Sequence, residues 1–495
     1  MEGEKFIYLH HGYISIPDYN FGESSYLENI LSWYDETYHK RHYDGLYYEK
    51  EKRELRIPLG FGANSAARLT GRYVKPVFQE DEPRKVSIKL TVRPRDDVQE
   101  GIIRYTVEKC SKYSQSAIVA STGIGKTYCA IACAAYYQTA TMIVCHSSKL
   151  RLHWGKKIPG YTNTTDKQIL IVDSSAKILS VLKKPQSAIK WKFVSVTHSV
   201  LSSFGKRYGW ERVREFTKKL GIGFLIIDEV HRCFANTIKI LTHTNVRKYL
   251  LLTATFRRSN RYENRIFASC FSSIPKYEHT KVSGEKSQQH INGFVFMYNS
   301  HPGMEVQLGC EIPNHAGINC QWYDNYLVDQ DPMFYSVLGK VLDICIRSCK
   351  PFKGKGMIMC GSIHACSVIG NFIKKSMGEE VAVGIYNSSV HLKREEKDQL
   401  LDTCDIIITT SGSLGEGADI PNLHYVIDFE TFRSDVLSEQ VPGRLRDLKD
   451  GHKFNYIKIC NIGFVKAFSQ LRDCIKAYEK NMGNLKVINW QANSQ

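Results

Sequence analysis

The chain has 495 residues, and at roughly 100–200 residues per domain this predicts two to four domains. Its 43% hydrophobic and 24% charged residues exclude wholesale disorder. No run of about 18 apolar residues occurs, and the N-terminus lacks the basic-then-apolar order of a signal peptide, so we expect a cytoplasmic protein without a membrane partner. The fifteen cysteines have scattered spacings, which favours reduced thiols over disulfides or zinc ligands.

The net charge of +17 is concentrated in one part of the chain. Residues 101–280 hold 29 Lys and Arg against 9 Asp and Glu, which is +20, and the remainder holds 38 against 41, which is −3. A strongly basic segment with nearly neutral flanks favours a polyanionic partner such as nucleic acid. The alternative is a basic surface that serves only solubility.

Short apolar runs alternate with intervals long enough for a helix, which is the pattern of βαβ units in a parallel sheet. The first block of predicted strands is Ser116–Ala120, Thr141–Cys145, Ile169–Val172, Phe193–Val196, Phe224–Ile227 and Tyr249–Leu252. The second block is Gly356–Cys360, Val381–Ile385, Asp405–Thr409, Tyr425–Asp428 and Asn455–Ile459.

These blocks predict an α/β chain in four parts. Residues 1–88 form a small N-terminal α+β accessory module, and residues 89–280 form a first α/β domain. Residues 281–335 lose the alternation and are predicted to be a linker or insertion. Residues 336–495 form a second α/β domain that ends in a C-terminal helix.

A glycine-rich loop, Ala120–Thr127 with the sequence ASTGIGKT, lies between a predicted strand and a helical stretch. Gly123 and Gly125 let the backbone curl so that successive N–H groups face an anion at the helix N-terminus. Lys126 would reach the β- and γ-phosphates, and the Thr127 hydroxyl would bind Mg²⁺. The predicted nucleotide-binding residues of this loop are Ser121, Thr122, Gly123, Ile124, Gly125, Lys126 and Thr127.

Two carboxylates follow the predicted strand Phe224–Ile227, in the sequence Asp228-Glu229-Val230-His231. Asp228 would hold Mg²⁺ through water, and Glu229 would orient and deprotonate the attacking water. An acidic pair at a strand end can also be a solvated turn, but here it comes about 100 residues after a phosphate loop. Together the two segments predict an NTP-hydrolysing site.

These two motifs resemble those of superfamily-2 helicases and translocases, whose first motif reads AxTGxGKT and whose second reads DExH. Arg93-Pro94 with Gln99 is similar to the adenine-reading element of that family, and Val144–Trp154 resembles motif Ia. Gly356–Cys360 resembles motif IV. The resemblance covers about residues 90–465 and implies two tandem RecA-like parallel-sheet domains, with ATP and Mg²⁺ as cofactors.

Leu252–Thr255 resembles motif III, which couples hydrolysis to movement in this family. The resemblance therefore assigns Thr253 and Thr255 to coupling. His231 would link the γ-phosphate site to motif III or to motif VI, although it can also be interpreted as a core imidazole.

Ile406–Pro421 resembles motif V, and the resemblance assigns Gly417 and Asp419 to nucleotide binding and Ser411 to nucleic-acid binding.

Gln440–Arg446, with the sequence QVPGRLR, resembles motif VI of the family, QRxGRxxR. Gln440, Arg444 and Arg446 are therefore candidate catalytic residues. Arg444 matches a family arginine, whereas Arg446 lies one place before the second family arginine, where this chain has Asp447. An arginine that closes on the γ-phosphate across a cleft between domains would accelerate hydrolysis by about 10³–10⁵.

Basic clusters follow several predicted strand ends, where loops would form a groove that tracks a nucleic-acid backbone. Lys149 and Trp154 belong to one such cluster, and Arg257 and Arg258 directly follow Thr255. A solvated basic face is the alternative for some clusters, such as the one near Lys183.

The distances between motifs are short, which resembles the XPB–RecG–UvsW branch of the family more than processive RNA helicases. Tyr43–Gly45 followed by Leu55–Phe61 resembles an element that precedes the helicase core in UvsW-like phage recombination helicases. The resemblance implies a DNA-binding accessory domain, branched or forked DNA in preference to RNA, a host cytoplasm, and replication, recombination or transcription proteins as partners. The alternative is a purely structural hairpin module.

Three functions are carried forward. The first is an ATP-dependent DNA helicase or translocase that remodels branched DNA by branch migration, fork regression, unwinding or annealing. The second is a viral transcript-release or termination ATPase that depends on template DNA. The third is a nucleic-acid-binding regulator with a decayed motor, for which the altered motif VI is the support.

Overall fold

The computed structural model describes residues 4–35, 39–77, 82–120, 123–184, 189–254, 256, 261–279, 288–312, 318–387, 389–390, 394–411, 413, 420–431, 441–445 and 454–490. The chain divides into two compact units, residues 1–279 and residues 280–495. None of the helices among these described residues has the length and apolar character needed to cross a bilayer.

The N-terminal part of the first unit is a small α+β module. Its sheet has the strand order β5-β6-β2-β1-β7, in which only the β1–β7 pair is parallel, and β3 and β4 form a separate antiparallel pair. The elements are β1 Phe6–Leu9, β2 Tyr13–Ile16, α1 Ser25–Ile30, β3 Trp33–Asp35, β4 Lys40–His42, β5 Tyr47–Glu49, β6 Glu54–Pro58, α2 Ala63–Thr70 and β7 Tyr73–Pro76.

The remainder of the first unit is a seven-stranded parallel sheet in the order β10-β11-β9-β12-β13-β8-β14. Its strands are β8 Gln115–Val119, β9 Ala140–Cys145, β10 Ile169–Val172, β11 Phe193–Thr197, β12 Ile222–Ile227, β13 Lys248–Thr253 and β14 Lys276–Glu278. Its helices are α3 Asp97–Tyr113, α4 Lys126–Tyr137, α5 Ser148–Tyr161, α6 Ser175–Lys183, α7 His198–Tyr208, α8 Trp210–Leu220, α9 Phe234–His243 and α10 Arg261–Cys270. The central strands β9 and β12 are buried at every residue, because helices cover both faces of a parallel sheet.

The second unit repeats this design with the order β17-β18-β16-β19-β20-β15-β21, again entirely parallel. Its strands are β15 Gln288–Tyr298, β16 Lys355–Cys360, β17 Val383–Tyr386, β18 Ile406–Thr410, β19 Leu423–Asp428, β20 Phe454–Asn461 and β21 Met482–Asn489. Its helices are α11 Met304–Cys310, α12 Cys320–Asp329, α13 Phe334–Cys349, α14 Ile363–Met377, α15 Arg394–Thr403 and α16 Val465–Asn481. Numbered within each sheet, both strand orders read 3-4-2-5-6-1-7.

The predicted fold class is confirmed, since two parallel sheets follow a small α+β module. Each of the eleven predicted strands overlaps an observed one. The structure differs in residues 281–335, which contain β15, α11 and α12 instead of the expected linker or insertion. β15 is the first strand of the second sheet and lies between β20 and β21, so this stretch is part of the second domain. The chain also continues beyond its last helix into β21.

The N-terminal module and the first parallel sheet share one hydrophobic core. Ile14 and Leu55 of the module belong to the same buried cluster as Leu241 and Tyr249 of the first parallel sheet and its helices. Gly12 lies so close to the Leu241 carbonyl and the Tyr249 hydroxyl that a Cβ atom there would collide with both. The expected boundary at residue 88 therefore does not separate two cores.

Candidate nucleotide-binding site

The phosphate loop connects β8 to α4 at the carboxyl edge of the first sheet. Gly123 and Gly125 have φ values of 93° and 92°, a region that glycine adopts without steric cost. A Cβ atom on Gly125 would also collide with the Gln99 side-chain amide. The loop opens onto the N-terminus of the twelve-residue helix α4, whose first N–H groups and dipole favour an anion. Ser121 and Thr122 lie outside the described residues.

Gln99 supports this loop from α3. Its Nε2 donates to the Ile124 carbonyl at 2.8 Å, and its Oε1 accepts from the Arg95 backbone N–H at 2.9 Å. The Asp96 side chain caps the same helix by accepting from the Gln99 N–H at 2.9 Å. The Arg95 guanidinium donates to the Gly123 carbonyl at 3.4 Å. The segment that the sequence suggested as an adenine-reading element is thus in direct contact with the phosphate loop.

The Asp96 cap of α3 was not predicted, although the sequence contains the pattern that indicates it. Asp96-Asp97-Val98-Gln99 places an acidic N-cap three residues before a glutamine, a spacing typical of helix starts.

Lys126 is half-buried in the first turn of α4, and its Nζ donates to the Ala120 carbonyl at 2.7 Å. Burial lowers the pKa of the Lys126 ammonium, and the nearby carboxylates of Glu229 and Asp228 act in the opposite direction. The two motifs predicted to act together therefore share one electrostatic environment. Thr127, the predicted metal ligand, is the next residue of the same helical turn and is half-buried.

Asp228 directly follows β12 and is buried, with 8% of its surface exposed. Its Oδ2 accepts from the Trp154 indole N–H at 2.8 Å. Burial raises the pKa of the Asp228 carboxyl, while the bond from Trp154 and the charge of Lys126 lower it. A buried carboxylate whose pKa is lowered by a lysine at a helix N-terminus suits a divalent cation.

The position of Trp154 contradicts its prediction as a nucleic-acid contact. The residue is 1% exposed, so its ring is not available to stack on a base. Its spacing on the amphipathic helix α5 places it on the face that packs against the sheet, where the indole N–H finds a partner in Asp228. The structure thus makes Trp154 a support of the candidate metal ligand.

Glu229 and His231 lie in the turn that follows β12. Glu229 has a φ of 49°, which is uncommon for a residue with a side chain and costs on the order of 1–3 kcal/mol. His231 is buried, and its Nδ1 lies 2.8 Å from the Thr253 Oγ1 and 3.4 Å from the Glu229 Oε2. Thr253 is the last residue of β13. The structure therefore connects the second motif to the third through one imidazole, which is the first of the two links expected for His231.

The other predicted residues fall into three groups. Lys149 is exposed in the first turn of α5, where the Ser147 side chain caps the helix. In the second unit, the Ser411 hydroxyl donates to Glu430 Oε1 at 2.8 Å, and Arg444 ends a short 3₁₀ helix. The predicted residues outside the described part of the chain are Ser121, Thr122, Thr255, Arg257, Arg258, Gly417, Asp419, Gln440 and Arg446.

Comparison with known proteins supports the interpretation of the motifs. A family model described as the res subunit of type III restriction enzymes matches residues 92–258, a range that contains the phosphate loop and the carboxylates. A search of curated protein sequences finds no match.

Solved structures of helicases are similar in fold. One is the DEAD-box helicase Mss116 bound to single-stranded RNA and UDP-BeF, which is 15% identical in sequence. The match covers 80% of this chain and 75% of the Mss116 chain, with a TM-score of 0.52. A deletion variant of Mss116p bound to single-stranded RNA and AMP-PNP is 14% identical, covers 79% and 74%, and also has a TM-score of 0.52. A Dbp5 variant from S. cerevisiae bound to RNA and ADP BeF3 is 14% identical, covers 79% and 89%, and has a TM-score of 0.50.

At 14–15% identity these likenesses concern the fold. The family match covers the part of the chain that holds Lys126, Asp228 and Glu229. The chain therefore has the fold of a superfamily-2 helicase.

Proposed function

We propose that the chain is a Mg²⁺-dependent, nucleic-acid-stimulated ATPase that translocates on DNA and remodels branched DNA. The observation that carries the proposal is the arrangement of Lys126, Asp228 and Glu229 around one edge of the first sheet, with opposite charges that influence each other's ionisation. A lysine, a helix N-terminus and two carboxylates are the groups that phosphoryl transfer to water requires.

Each residue has a separate role in this proposal. Lys126 and the N–H groups at the start of α4 bind the β- and γ-phosphates. Thr127 and Asp228 would hold Mg²⁺, which supplies positive charge against the phosphate oxygens when it is bound. Glu229 orients the attacking water and accepts its proton. Trp154 favours the ionised form of Asp228 and fixes its orientation through the hydrogen bond to Oδ2.

We propose that His231 couples the nucleotide site to the end of β13. Its imidazole is 2.8 Å from Thr253, so a shift of the turn at Glu229 on hydrolysis reaches the end of β13 through one contact. The chain continues from Thr253 to α10 within eight residues, through the segment that contains Arg257 and Arg258. Coupling between hydrolysis and grip on nucleic acid would follow this path.

The basic excess supports a nucleic-acid track. Residues 101–280 carry +20, far more than Lys126 needs for its role at the nucleotide. Phosphate contacts made by such a surface give salt-sensitive binding without sequence preference, which a translocase requires. The preference for branched DNA rests on the resemblance of the N-terminal module to UvsW-like helicases, and the helicases of similar fold were solved with RNA.

The test is an ATPase assay with single-stranded, duplex, forked and Holliday-junction DNA and with RNA. We expect the forked and junction DNA to stimulate turnover most. Stimulation by RNA alone would overturn the DNA assignment, and stimulation that requires a transcription complex would favour a transcript-release ATPase.

The catalytic assignment is tested by Glu229→Gln in the same assay. Because the amide cannot accept the proton of water, we expect turnover to fall by about 10²–10⁴ while nucleotide binding remains. Glu108→Gln is the matched control, since Glu108 is an exposed residue of α3 that pairs with the neighbouring Lys109. Wild-type turnover in Glu229→Gln would contradict the proposed role.

A further inference from the structure

Three rings from two distant parts of the chain meet on the first unit. Trp33 of β3 stacks on His42 of β4 with centroids 4.6 Å apart and planes 13° from parallel. Tyr262 in the first turn of α10 lies 6.1 Å from Trp33 with planes 12° from parallel. We call Trp33, His42 and Tyr262 the ring platform. Such near-parallel, offset geometry is favourable for aromatic stacking.

The platform is held in place by polar contacts beneath it. The Trp33 indole N–H donates to Asp44 Oδ2 at 2.9 Å, which fixes the ring on the hairpin. The Arg265 guanidinium, one turn after Tyr262 on α10, donates to the carbonyls of Ser32 at 3.0 Å and Asn29 at 3.1 Å. The helix and the hairpin are therefore tied together independently of the rings.

Of the three rings, Tyr262 is exposed to solvent, whereas Trp33 and His42 are half-buried. Tyr262 is 52% exposed, although α10 buries Ile266, Phe267 and Cys270 completely on its inner face. An aromatic ring aligned with two others, yet half in water, presents a flat surface on which a further ring can stack.

Basic side chains lie near the ring platform, together with the acidic Asp35, which pairs with His42 at 3.9 Å, and Asp44. Lys40 and Arg41 lie on β4, in register with Asp35 and Tyr34 of β3, and Lys40 is exposed. Tyr34, which is 49% exposed, adds a second aromatic side chain to the hairpin. Arg265 is exposed on α10. Exposed rings interleaved with lysine and arginine are the chemistry that binds an unpaired nucleic-acid strand, with bases on the rings and phosphates on the cations.

We propose that the ring platform stacks one unpaired base of a nucleic-acid strand, while Lys40 and Arg265 contact the adjoining phosphates. The inference rests on the proposed function and deepens it, because it places a strand contact outside the helicase motifs. The platform joins the N-terminal hairpin to α10, the helix that follows the motif-III segment. A base held there would lie on the same unit as the nucleotide site.

The test uses the full chain without nucleotide and a single-stranded DNA of thymidines that carries one 2-aminopurine. Stacking on a protein ring quenches 2-aminopurine fluorescence, whereas phosphate contacts alone do not. Anisotropy of the same DNA with a remote label gives the dissociation constant.

Tyr262→Ala is the main variant, since its exposed ring is not needed for the core. We expect binding weakened on the order of ten-fold and the quenching lost, because a stacked base contributes this much to affinity. Tyr262→Phe should keep both within about two-fold, since the ring remains. Tyr136→Ala is the matched control: Tyr136 is 66% exposed at the last turn of α4 and belongs to no proposed site.

The outcomes separate the two proposals. Wild-type quenching and affinity in Tyr262→Ala, in a chain whose ATPase responds to nucleic acid, would overturn the platform and leave the proposed function intact. Equal losses in Tyr262→Ala and Tyr136→Ala would overturn it as well. Absence of nucleic-acid binding and stimulation in the wild-type chain would overturn both and favour a protein partner for the exposed rings.

Discussion

The two seven-stranded sheets share one strand order, but the buried carboxylates at the ends of their fifth strands have different partners. In the first unit Asp228 follows the fifth strand in chain order, β12, and accepts from Trp154 while it shares its surroundings with Lys126. In the second unit Asp428 ends the fifth strand, β19, and pairs with Lys458 of the neighbouring β20 at 3.1 Å. Tyr456 donates to the second Asp428 oxygen at 2.5 Å.

We infer from this difference that the two carboxylates have different roles. Asp428 has its countercharge in the next strand and is 0% exposed, so its charge is balanced within the core. Asp228 has a neutral donor, and Lys126, whose charge lowers its pKa, lies at the N-terminus of the helix that forms the candidate phosphate site. A carboxylate with a neutral partner keeps affinity for a metal ion, whereas one closed by lysine and tyrosine stabilises the fold.

The largest effect that we predict concerns the contribution of the second unit to hydrolysis. If Arg444 is the transition-state arginine, Arg444→Ala lowers nucleic-acid-stimulated turnover by about 10³–10⁵ and spares nucleotide binding. Stimulated ATPase rates and nucleotide affinity measure the two quantities. Turnover of Arg444→Ala at the wild-type rate would contradict the role of Arg444 in hydrolysis.

A matched pair of lysine substitutions tests the comparison directly. Lys126→Met should lower turnover by about 10²–10³ with little change in stability, because the role proposed for its ammonium is to bind the phosphates. Lys458→Met should lower stability by about 3–5 kcal/mol, because it leaves Asp428 buried without a countercharge.

ATPase rates and urea unfolding midpoints distinguish the two variants. Adding Asp428→Asn to Lys458→Met should restore part of the stability. A stable Lys458→Met chain would show that the second carboxylate does not depend on its internal ion pair.

Glu430, two residues after Asp428, makes the second unit sensitive to pH. Burial, together with the charge of Asp428, raises the pKa of the Glu430 carboxyl from its ordinary 4.5 to about 7, and Ser411 and Lys458 act in the opposite direction. The folded state therefore binds this proton more tightly than the unfolded state. The group's contribution to stability is greatest below pH 4.5 and falls by about 3 kcal/mol as the pH rises through 7.

Glu430→Gln removes this titration and keeps an oxygen for the Ser411 hydroxyl. We expect the melting temperature of the variant, relative to that of the wild type, to be higher at pH 8 than at pH 5. A difference in melting temperature that stays constant with pH would contradict the shifted carboxyl.

The smallest effect concerns Trp154 in the first unit. Trp154→Phe removes the indole donor to Asp228, which should cost about 2 kcal/mol in stability because the acceptor is a buried charged group. It should also raise the pKa of the Asp228 carboxyl and move the acidic limb of the ATPase pH profile to higher pH. Trp191→Phe is a control for loss of a half-buried tryptophan elsewhere in the unit. An unchanged acidic limb would show that Asp228 does not depend on this bond.

The sequence predicted the strands and the nucleotide motifs because both carry strong local signals. Apolar runs at regular intervals marked eleven strands, and the ASTGIGKT and DEVH segments identified Lys126, Asp228 and Glu229. β15 was missed because its first half is mostly polar, with Gln288, His290 and Asn292, and the apolar run Phe294–Tyr298 in its second half was not recognised as a strand. No sequence repeat indicated that this strand corresponds to β8, since the two units share topology without shared side chains.

Tertiary contacts between distant residues could not be predicted from the sequence. The burial of Trp154 and its bond to Asp228 join residues 74 positions apart. The alignment of Trp33 with Tyr262 joins residues from opposite ends of the first unit. A tryptophan among lysines suggested a nucleic-acid contact, and only its position on the inner face of α5 showed its structural role.

The core shared by the N-terminal module and the first sheet sets the size of the smallest autonomous fragment. Residues 1–77 cover Leu241, Tyr249, Ile266 and Cys270, and the Arg56 guanidinium donates to the Thr242 carbonyl at 3.3 Å. A fragment that begins at residue 89 would expose these apolar side chains to water and would aggregate. We therefore expect residues 1–279 to be the smallest fragment that folds with the candidate nucleotide site intact.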